Sequence, residues 1–592
     1  MKRRSDTENR RNKRPYGRRS YTAQVAAFYD ILGAHPYLFS FLAVLVLTPL
    51  CFGAQRNMTQ SAKMIWCLAG MALPALAAAM LKRSGHIGRY ETNVIIAVIG
   101  TVGLLLSSFF VKADYTAGWI FCYITAAAVL FRLTLIRDKK NRDRHNAFMI
   151  MLISFGIKFS YVLYTSCYTR QNDVGRFDTE RGHASYIEYL IQNAHLPDFR
   201  PTSRWQYYHP PLHHTVSALW ISMCENVFGI ERNYARESLQ MLMLFYSVAA
   251  VIVVYKLLRH FGFDGKALIL PLALFAFHPS FILSSGAINN DQLATLLLLL
   301  TILFTVRWSR QPTFKNIIPI AFSIGLAMMT KLNAALIAPA VAVVFLWQLT
   351  KNLKSWKKLF AQYAVFGVIC VPLGLWWSVR NYLRWKTDPT YVPWLGESQQ
   401  YVGDDIFGRL FSFAPKQFAS VFESWIMDGD AYDEYNPNVA ILKNSLFSEH
   451  TDEKNFPGAS VLVPTVLFWV ALVLALFCVG LTVYFLFKKS TRLQLHDKAF
   501  LAGYWAFLMY YFYLFCYLYP NTCTQHFRYI SPLLAVSAVQ YAMFFDRREL
   551  GEQSAVKKVL SRTVTVLIIV FSVLSLLTYF ILGYNDTLRW AE

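Results

Sequence analysis

Long apolar runs separated by short basic turns set the pattern of this chain. Runs of 18 or more apolar residues read as membrane helices, because about 20 residues rising 1.5 Å each cross a hydrocarbon core ~30 Å thick. The first covers 37–55, and others lie near 62–81, 93–111, 115–136, 146–166, 237–257, 267–287, 291–308, 316–330, 332–350, 359–383, 460–487, 499–519, 528–545 and 563–584. The pattern predicts an all-α polytopic membrane protein with about 15 transmembrane helices. Two of these runs meet at Lys331 with almost no turn between them. The basic N-terminus is not followed by a short apolar segment and small-residue cleavage site, so it does not read as a signal peptide.

Two segments between the runs are long, 167–236 and 384–459. Both are rich in Trp, Tyr and Phe rather than in Ser, Glu and Lys, which predicts ordered structure. Within the first, HASYIEYLIQNA (183–194) places Tyr186, Ile187, Leu190 and Ile191 at helical spacing, as in a helix lying in the membrane interface. The run YYHPPL then opens another helix, with Pro210 and Pro211 tolerated in its first turn.

Composition agrees with a membrane chain: 55% of the 592 residues are hydrophobic and only 16% charged, against roughly 25% charged in soluble proteins. The net charge of +23 would suggest nucleic acid in a soluble protein. Its distribution says otherwise. With the N-terminal stretch MKRRSDTENRRNKRPYGRR placed in the cytoplasm, alternation puts every basic connection on that side. About 36 of the 58 basic residues but about 11 of the 35 acidic ones then lie inside. The charge is a topology device that also favours anionic membrane lipids, and no nucleic-acid partner is expected. The reading is a multi-pass protein of a bacterial plasma membrane, N-terminus cytoplasmic and C-terminus outside.

The same topology collects the candidate chemistry on the outer face. Asp173 and Asp178 follow the fifth span, where a carboxylate can take a proton from an acceptor hydroxyl or simply cap a loop turn. Lys331, Arg380 and Arg528 reach that level from three spans, suited to an anionic phosphate or to snorkelling. His526, two residues before Arg528, could donate to the same phosphate or be structural. His209 and His213, spaced i, i+4, with His183 and His214 allow metal, substrate-hydroxyl or structural roles. No Cys/His metal spacing occurs; Asp291 could serve the acceptor or a divalent cation, the one cofactor left open, or could simply cap its helix. Lys158 lies within a span, where a charge is expensive and functional by default, unless tilt carries it to the outer surface. Cys167 and Cys523 near the outer surface leave a disulfide open. Asp428, Asp430, Asp433 and Glu434 read as a solvated acidic turn or an acceptor or cation site. Aromatics around it (Trp394, Tyr401, Trp425, Tyr432, Tyr435) could stack on sugars or mark the interface.

The order of these features resembles the membrane-embedded GT-C glycosyltransferases, particularly the protein O-mannosyltransferase and aminoarabinose transferase group. An acidic first outer loop leads to a surface helix ending in LP and a HPPL turn. GAINNDQLATLLLLL (Asn289, Asn290, Asp291) resembles the polar step that opens an outer-facing helix in that family. GLAMMTKLNAALIAPA ends a short span in Thr330-Lys331, WWSVRNYLRWKTDPT carries Arg380-Asn381, and CTQHFRYISPLL carries Arg528, Tyr529 and Pro532. The resemblance covers 146–545, with 1–36 a basic tail, 37–145 four additional N-terminal spans, and 546–592 a cytoplasmic connection and last span.

One departure stands out: the family's Asp-Glu pair at the start of the first surface helix is Gly182-His183 here. The resemblance implies inverting transfer of a sugar from a polyprenyl-phosphate donor to a lipid, glycopolymer or protein acceptor. Asp173, or second Asp178, would be the base. Lys331, Arg380, Arg528, His526 and Tyr529 would hold the donor phosphate, and His183, Tyr208, His209, His213, Asn290 and Asp291 would touch substrate. The rival reading is a transporter or flippase of lipid-linked saccharides, which should carry its ionisable residues near mid-membrane.

Overall fold

The computed structural model describes residues 141–393, 400–490, 492–546, 548 and 555–591, with scattered positions between 118 and 132. The basic tail, the first three predicted spans and Trp394 lie outside the described residues, and the fourth span is described only at those scattered positions.

The described chain is helical apart from one two-stranded hairpin, β1 Met427–Asp428 with β2 Ala431–Tyr432. In chain order the helices are α1 Arg142–Tyr164, α2 His183–Asn193, α3 Leu212–Asn226, α4 Arg232–His260, α5 Lys266–Ala276, α6 Pro279–Leu283, α7 Asp291–Arg310 and α8 Phe314–Thr330. They continue as α9 Ala338–Lys351, α10 Trp356–Trp385, α11 Ile406–Phe411, α12 Pro437–Phe447, α13 Leu462–Phe487, α14 Leu495–Leu518, α15 Leu533–Phe545 and α16 Ala555–Ala591. Among the described residues, 8 helices are long and apolar enough to cross a membrane, so this is an all-α multi-pass membrane protein.

Two predicted spans are shorter than expected, and a third ends where it was predicted to. The run at 267–287 breaks into α5 and α6, because Pro279 cannot donate into a continuing helix; the His278 ring accepts from the Ser280 N–H and starts the second piece. The run at 528–545 becomes helical only from Leu533, after a 3-10 turn at Phe527–Tyr529. The run at 316–330 ends at Thr330, where Lys331 is extended (φ −154°, ψ 119°) before a 3-10 turn leads into α9.

Two sets of contacts sit at opposite helix ends. At one end Asp143 accepts from the Gly265 N–H, Arg310 donates to the His260 carbonyl, Trp308 donates to Gln362, and Arg492 pairs with Asp546. At the other, Gln171 donates to the Gly286 carbonyl, Asn290 to that of Thr330, and Arg170 pairs with Asp586 of the last helix. The Arg170–Asp586 pair sets the end of α16 beside the first long loop.

Packing grades from centre to rim. α7 packs against both α4 and α8, and its residues are almost all buried. α10 and α13 instead present bare apolar surface, such as Val368 at 74% exposure, toward the lipid. The central helix therefore carries Asp291 into the protein interior, while the peripheral ones supply the bilayer-facing belt.

Candidate active site

The site is built where three chain breaks meet. Asp291 opens α7, where its negative charge suits the positive helix end, and its N–H donates to Asn289 Oδ1 (3.1 Å). Asn290 Nδ2 donates to the Thr330 carbonyl (3.0 Å), satisfying one of the acceptors that the end of α8 leaves open. That bond sets Lys331 beside Asp291, and the two form an ion pair. From the far end of the sequence, Arg528 Nη2 lies 2.7 Å from Asp173 and Nη1 3.7 Å from Asp291. Lys331 and Arg528 also flank the Tyr529 ring, at 4.8 and 5.1 Å from its centroid. The result is an alternating line, Lys331–Asp291–Arg528–Asp173, drawn from four parts of the chain.

Beside this line is a cavity of ≈ 60 Å³, reached by Arg170, Ser284, Gln292, Ser448, His526 and Arg528 among others. Each of these six has a buried polar atom without a hydrogen-bond partner: Arg170 Nε and Nη1, Ser284 Oγ, Gln292 Nε2, Ser448 Oγ, His526 Nε2 and Arg528 Nε. The nitrogens are donors. For His526 this follows from Nδ1 accepting the Arg528 backbone N–H (3.1 Å), which leaves the proton on Nε2. Burial first, then the neighbouring Arg528 charge, pushes the His526 imidazole down to about 3, so it stays neutral. A concentration of unpaired donors is costly unless a ligand or water completes it.

The first loop brings Asp173 to this place by backbone geometry. Asp173 has φ +61°, and the carbonyls of Asp173 and Val174 accept from the His183 and Ala184 N–H groups at the start of α2. Gly182 sits at φ +95°, and a Cβ there would lie 2.2 Å from the Val174 carbonyl oxygen. A side chain therefore does not fit at this position without a shift of the Val174 backbone. Gly182→Asp is expected to cost about 1–3 kcal/mol of stability, read as a lower unfolding midpoint, and to add no activity; an unchanged midpoint would contradict the strained turn.

The four histidines do converge, but as stacked rings. His183 Nδ1 and His214 Nε2 share a 2.8 Å hydrogen bond, and His183 stacks on His209 at 5.4 Å between centroids. Tyr186 covers His214 at 4.2 Å, and His213 Nε2 bonds the Ile288 carbonyl (3.1 Å). Among the described residues, no group of three His, Cys, Asp or Glu is set to hold a metal ion. Burial is the first cause that lowers all four imidazoles, with His209 at about 3 and His213 at about 4. In the unfolded chain they protonate near 6.5. Their neutral burial is therefore favourable above that pH and loses stability as pH falls toward the folded values, by about 1.4 kcal/mol per unit per histidine. Unfolding midpoints should be level above pH 7 and drop between pH 6 and 4; a level profile to pH 4 would contradict it.

Other predicted residues lie elsewhere. Asp178 is 70% exposed and 3.7 Å from Arg176, without a contact to the Arg528 line among the described residues. Arg380 donates to the Pro197 carbonyl (2.5 Å) and Asn381, and stacks on Trp377 and Trp385. It clamps the end of the surface helix to α10. Tyr208 packs on His209 at 4.5 Å, and its carbonyl accepts from Trp377. Cys167 and Cys523 are not joined to each other, and Cys167 donates toward Glu237. Lys158 does not reach the surface: it is fully buried, its Nζ unpartnered and 5.8 Å from the Phe281 ring.

The acidic turn of the second loop divides. Asp428 is exposed, but Glu434 and Lys443 form a 2.7 Å ion pair with each side chain 1% exposed. Arg409 donates to carbonyls of Tyr435, Gly403 and Cys516 and to Gln525, whose amide donates to the Glu434 carbonyl. Asn444 closes the set by accepting from the Phe527 N–H (2.8 Å). This buried network holds the turn that carries Arg528. Glu449, which sequence reasoning passed over, accepts from Asn172. Burial opposes its charge, yet the His450 hydrogen bond and the charges of His450 and Arg528 hold it at about 2.

Fold and site together define a polytopic helical membrane protein with an ionic, donor-lined site at one face. Residues 210–377 match the family described as dolichyl-phosphate-mannose-protein mannosyltransferase. Over that segment the chain is similar to membrane glycosyltransferases of the GT-C type, so the resemblance read from the sequence is borne out there. Among solved structures, the apo state of ArnT from Cupriavidus metallidurans is similar at 15% identity, covering 74% of this chain and 77% of that chain, with a TM-score of 0.35. No curated protein matches the chain.

Proposed function

We propose that this protein transfers a sugar from a polyprenyl-phosphate donor to an acceptor at the extracytoplasmic face, with inversion and with Asp173 as base. The observation that carries the reading is the Lys331–Asp291–Arg528–Asp173 line beside a cavity whose walls hold unpaired N–H donors. A polyprenyl tail stays in the bilayer while its phosphate lies at the depth of these helix ends. As the glycosidic bond breaks, its electron pair passes to the phosphate oxygen, and preplaced cations stabilise the growing charge. Arg528 suits a forked contact and Lys331 a point charge.

The resting ion pairs add a step. A phosphate arriving at Arg528 competes with Asp173 for the guanidinium, and a released Asp173 is free to take the acceptor hydroxyl proton. Asp173, with 30% of its side chain exposed, is open to an acceptor. Asp178 faces solvent beside Arg176 and fits a surface role better. Tyr208, His209 and the neighbouring neutral histidines are placed to bind sugar or acceptor hydroxyls, Asn290 to position Lys331, and Arg380 to hold the first loop. The acceptor class stays as the resemblance implies: a lipid, a glycopolymer or a protein.

The transporter reading rests on Lys158, a buried, unpaired amine within a span. Proteoliposomes given a labelled polyprenyl-phosphate sugar separate the two. Glycosyl transfer with release of polyprenyl phosphate is expected; movement of intact donor between leaflets without product would overturn the proposal.

A further inference from the structure

At the membrane face opposite the ionic line lies a second pocket, open and polar, of ≈ 420 Å³. It is lined by Ser309, Arg310, Ser490, Arg492, Leu493 and Gln494. α7 runs from Asp291 to Arg310, about 30 Å at 1.5 Å per residue, so the two sites are one hydrocarbon thickness apart. The pocket therefore sits at the headgroup level of the other leaflet.

Its described lining is basic. Among the described residues, two guanidinium groups contribute to the wall, from the end of α7 and from the turn before α14, and no carboxylate does. The nearby acids are already engaged: Asp546 takes Arg492 Nε (2.5 Å), and Asp497 is buried with the Ser309 hydroxyl and His496. Arg310 spends one N–H on the His260 carbonyl (3.1 Å), and its plane lies 5.5 Å from the Phe261 ring centroid, which fixes its direction. The segment KKSTRLQLHDK (488–498) adds Lys488, Lys489 and Lys498 to the local positive field. Apolar surface adjoins it: Leu495 is 64% and Phe487 85% exposed at the two ends of the turn. A free anion would use only the arginines, whereas a lipid uses both the charge and the apolar flank.

We propose that this pocket binds the headgroup of an anionic phospholipid, its phosphodiester between Arg310 and Arg492 and its acyl chains along Leu495 and Phe487. The site is separate from the transfer chemistry and does not depend on it.

The test is native mass spectrometry of the full chain in neutral detergent, titrated with phosphatidylglycerol, phosphatidylcholine or inorganic phosphate. Phosphatidylglycerol should be retained at least tenfold more tightly than phosphatidylcholine, and millimolar phosphate should not displace it. Arg310→Gln, at an exposed position that the fold tolerates, should lower retention severalfold, and Arg310→Gln with Arg492→Gln should abolish the preference. Lys315→Gln removes an exposed charge outside the pocket and should change nothing. Equal retention of the two lipids, an equal loss in Lys315→Gln, or displacement by phosphate alone would each overturn the proposal.

Discussion

Arg528→Ala is expected to lower the turnover of sugar transfer by about 10²–10³, the usual scale for removing one preplaced transition-state charge partner. Arg528 bonds Asp173 at 2.7 Å, approaches Asp291 at 3.7 Å and lines the cavity with an unpaired Nε. No other described side chain links both carboxylates to that cavity. Arg528→Lys keeps the charge but loses the fork, so it should recover only part of the rate. The fold should survive, because Asp173 is partly exposed and can turn to water. Turnover should therefore fall while the unfolding midpoint moves little. Wild-type turnover in Arg528→Ala would remove this residue from the chemistry.

The largest stability effect is expected at Lys443. Its ion pair with Glu434 is almost fully buried, and Lys443→Met would leave the carboxylate with the Ser424 N–H as its remaining bond. Breaking a buried pair from one side costs about 3–5 kcal/mol. Burial already pushes the Glu434 carboxyl up, so the variant should take up a proton there and recover part of its stability as pH falls. Replacing both partners by apolar residues should restore most of the loss. Since this network carries the Arg528 turn, Lys443→Met should also reduce transfer. A midpoint within a degree of wild type, at neutral pH, would contradict the buried pair.

What the sequence made legible was whatever hydrophobic period and charge placement encode. The spans follow from apolar length, and Asp173, Asp291, Lys331 and Arg528 stood out because each charge sits where an apolar run ends. The structure brings these four into one line, while Arg380, expected beside them, bonds Pro197 and Asn381 instead. Other parts had no local signal. Arg170 and Asp586 pair across 416 positions, and Glu434 looked like its solvated neighbours although the fold buries it against Lys443. Gly182 read as a departure from a family pattern; its positive φ and the Val174 carbonyl explain why no side chain fits. The break at His278 was masked by continuous hydrophobicity, although Pro279 was the available cue. The histidines invited a metal by spacing, and only their stacked, buried geometry gives them a different character.

The most direct test of the central claim is a single-turnover assay with purified protein and a polyprenyl-phosphate sugar labelled in the sugar. Wild type should release polyprenyl phosphate and pass label to an acceptor. Asp173→Asn should bind donor but transfer at least about a hundredfold more slowly, and Arg528→Ala should be weakened in both binding and transfer. Full transfer by both variants would contradict the account.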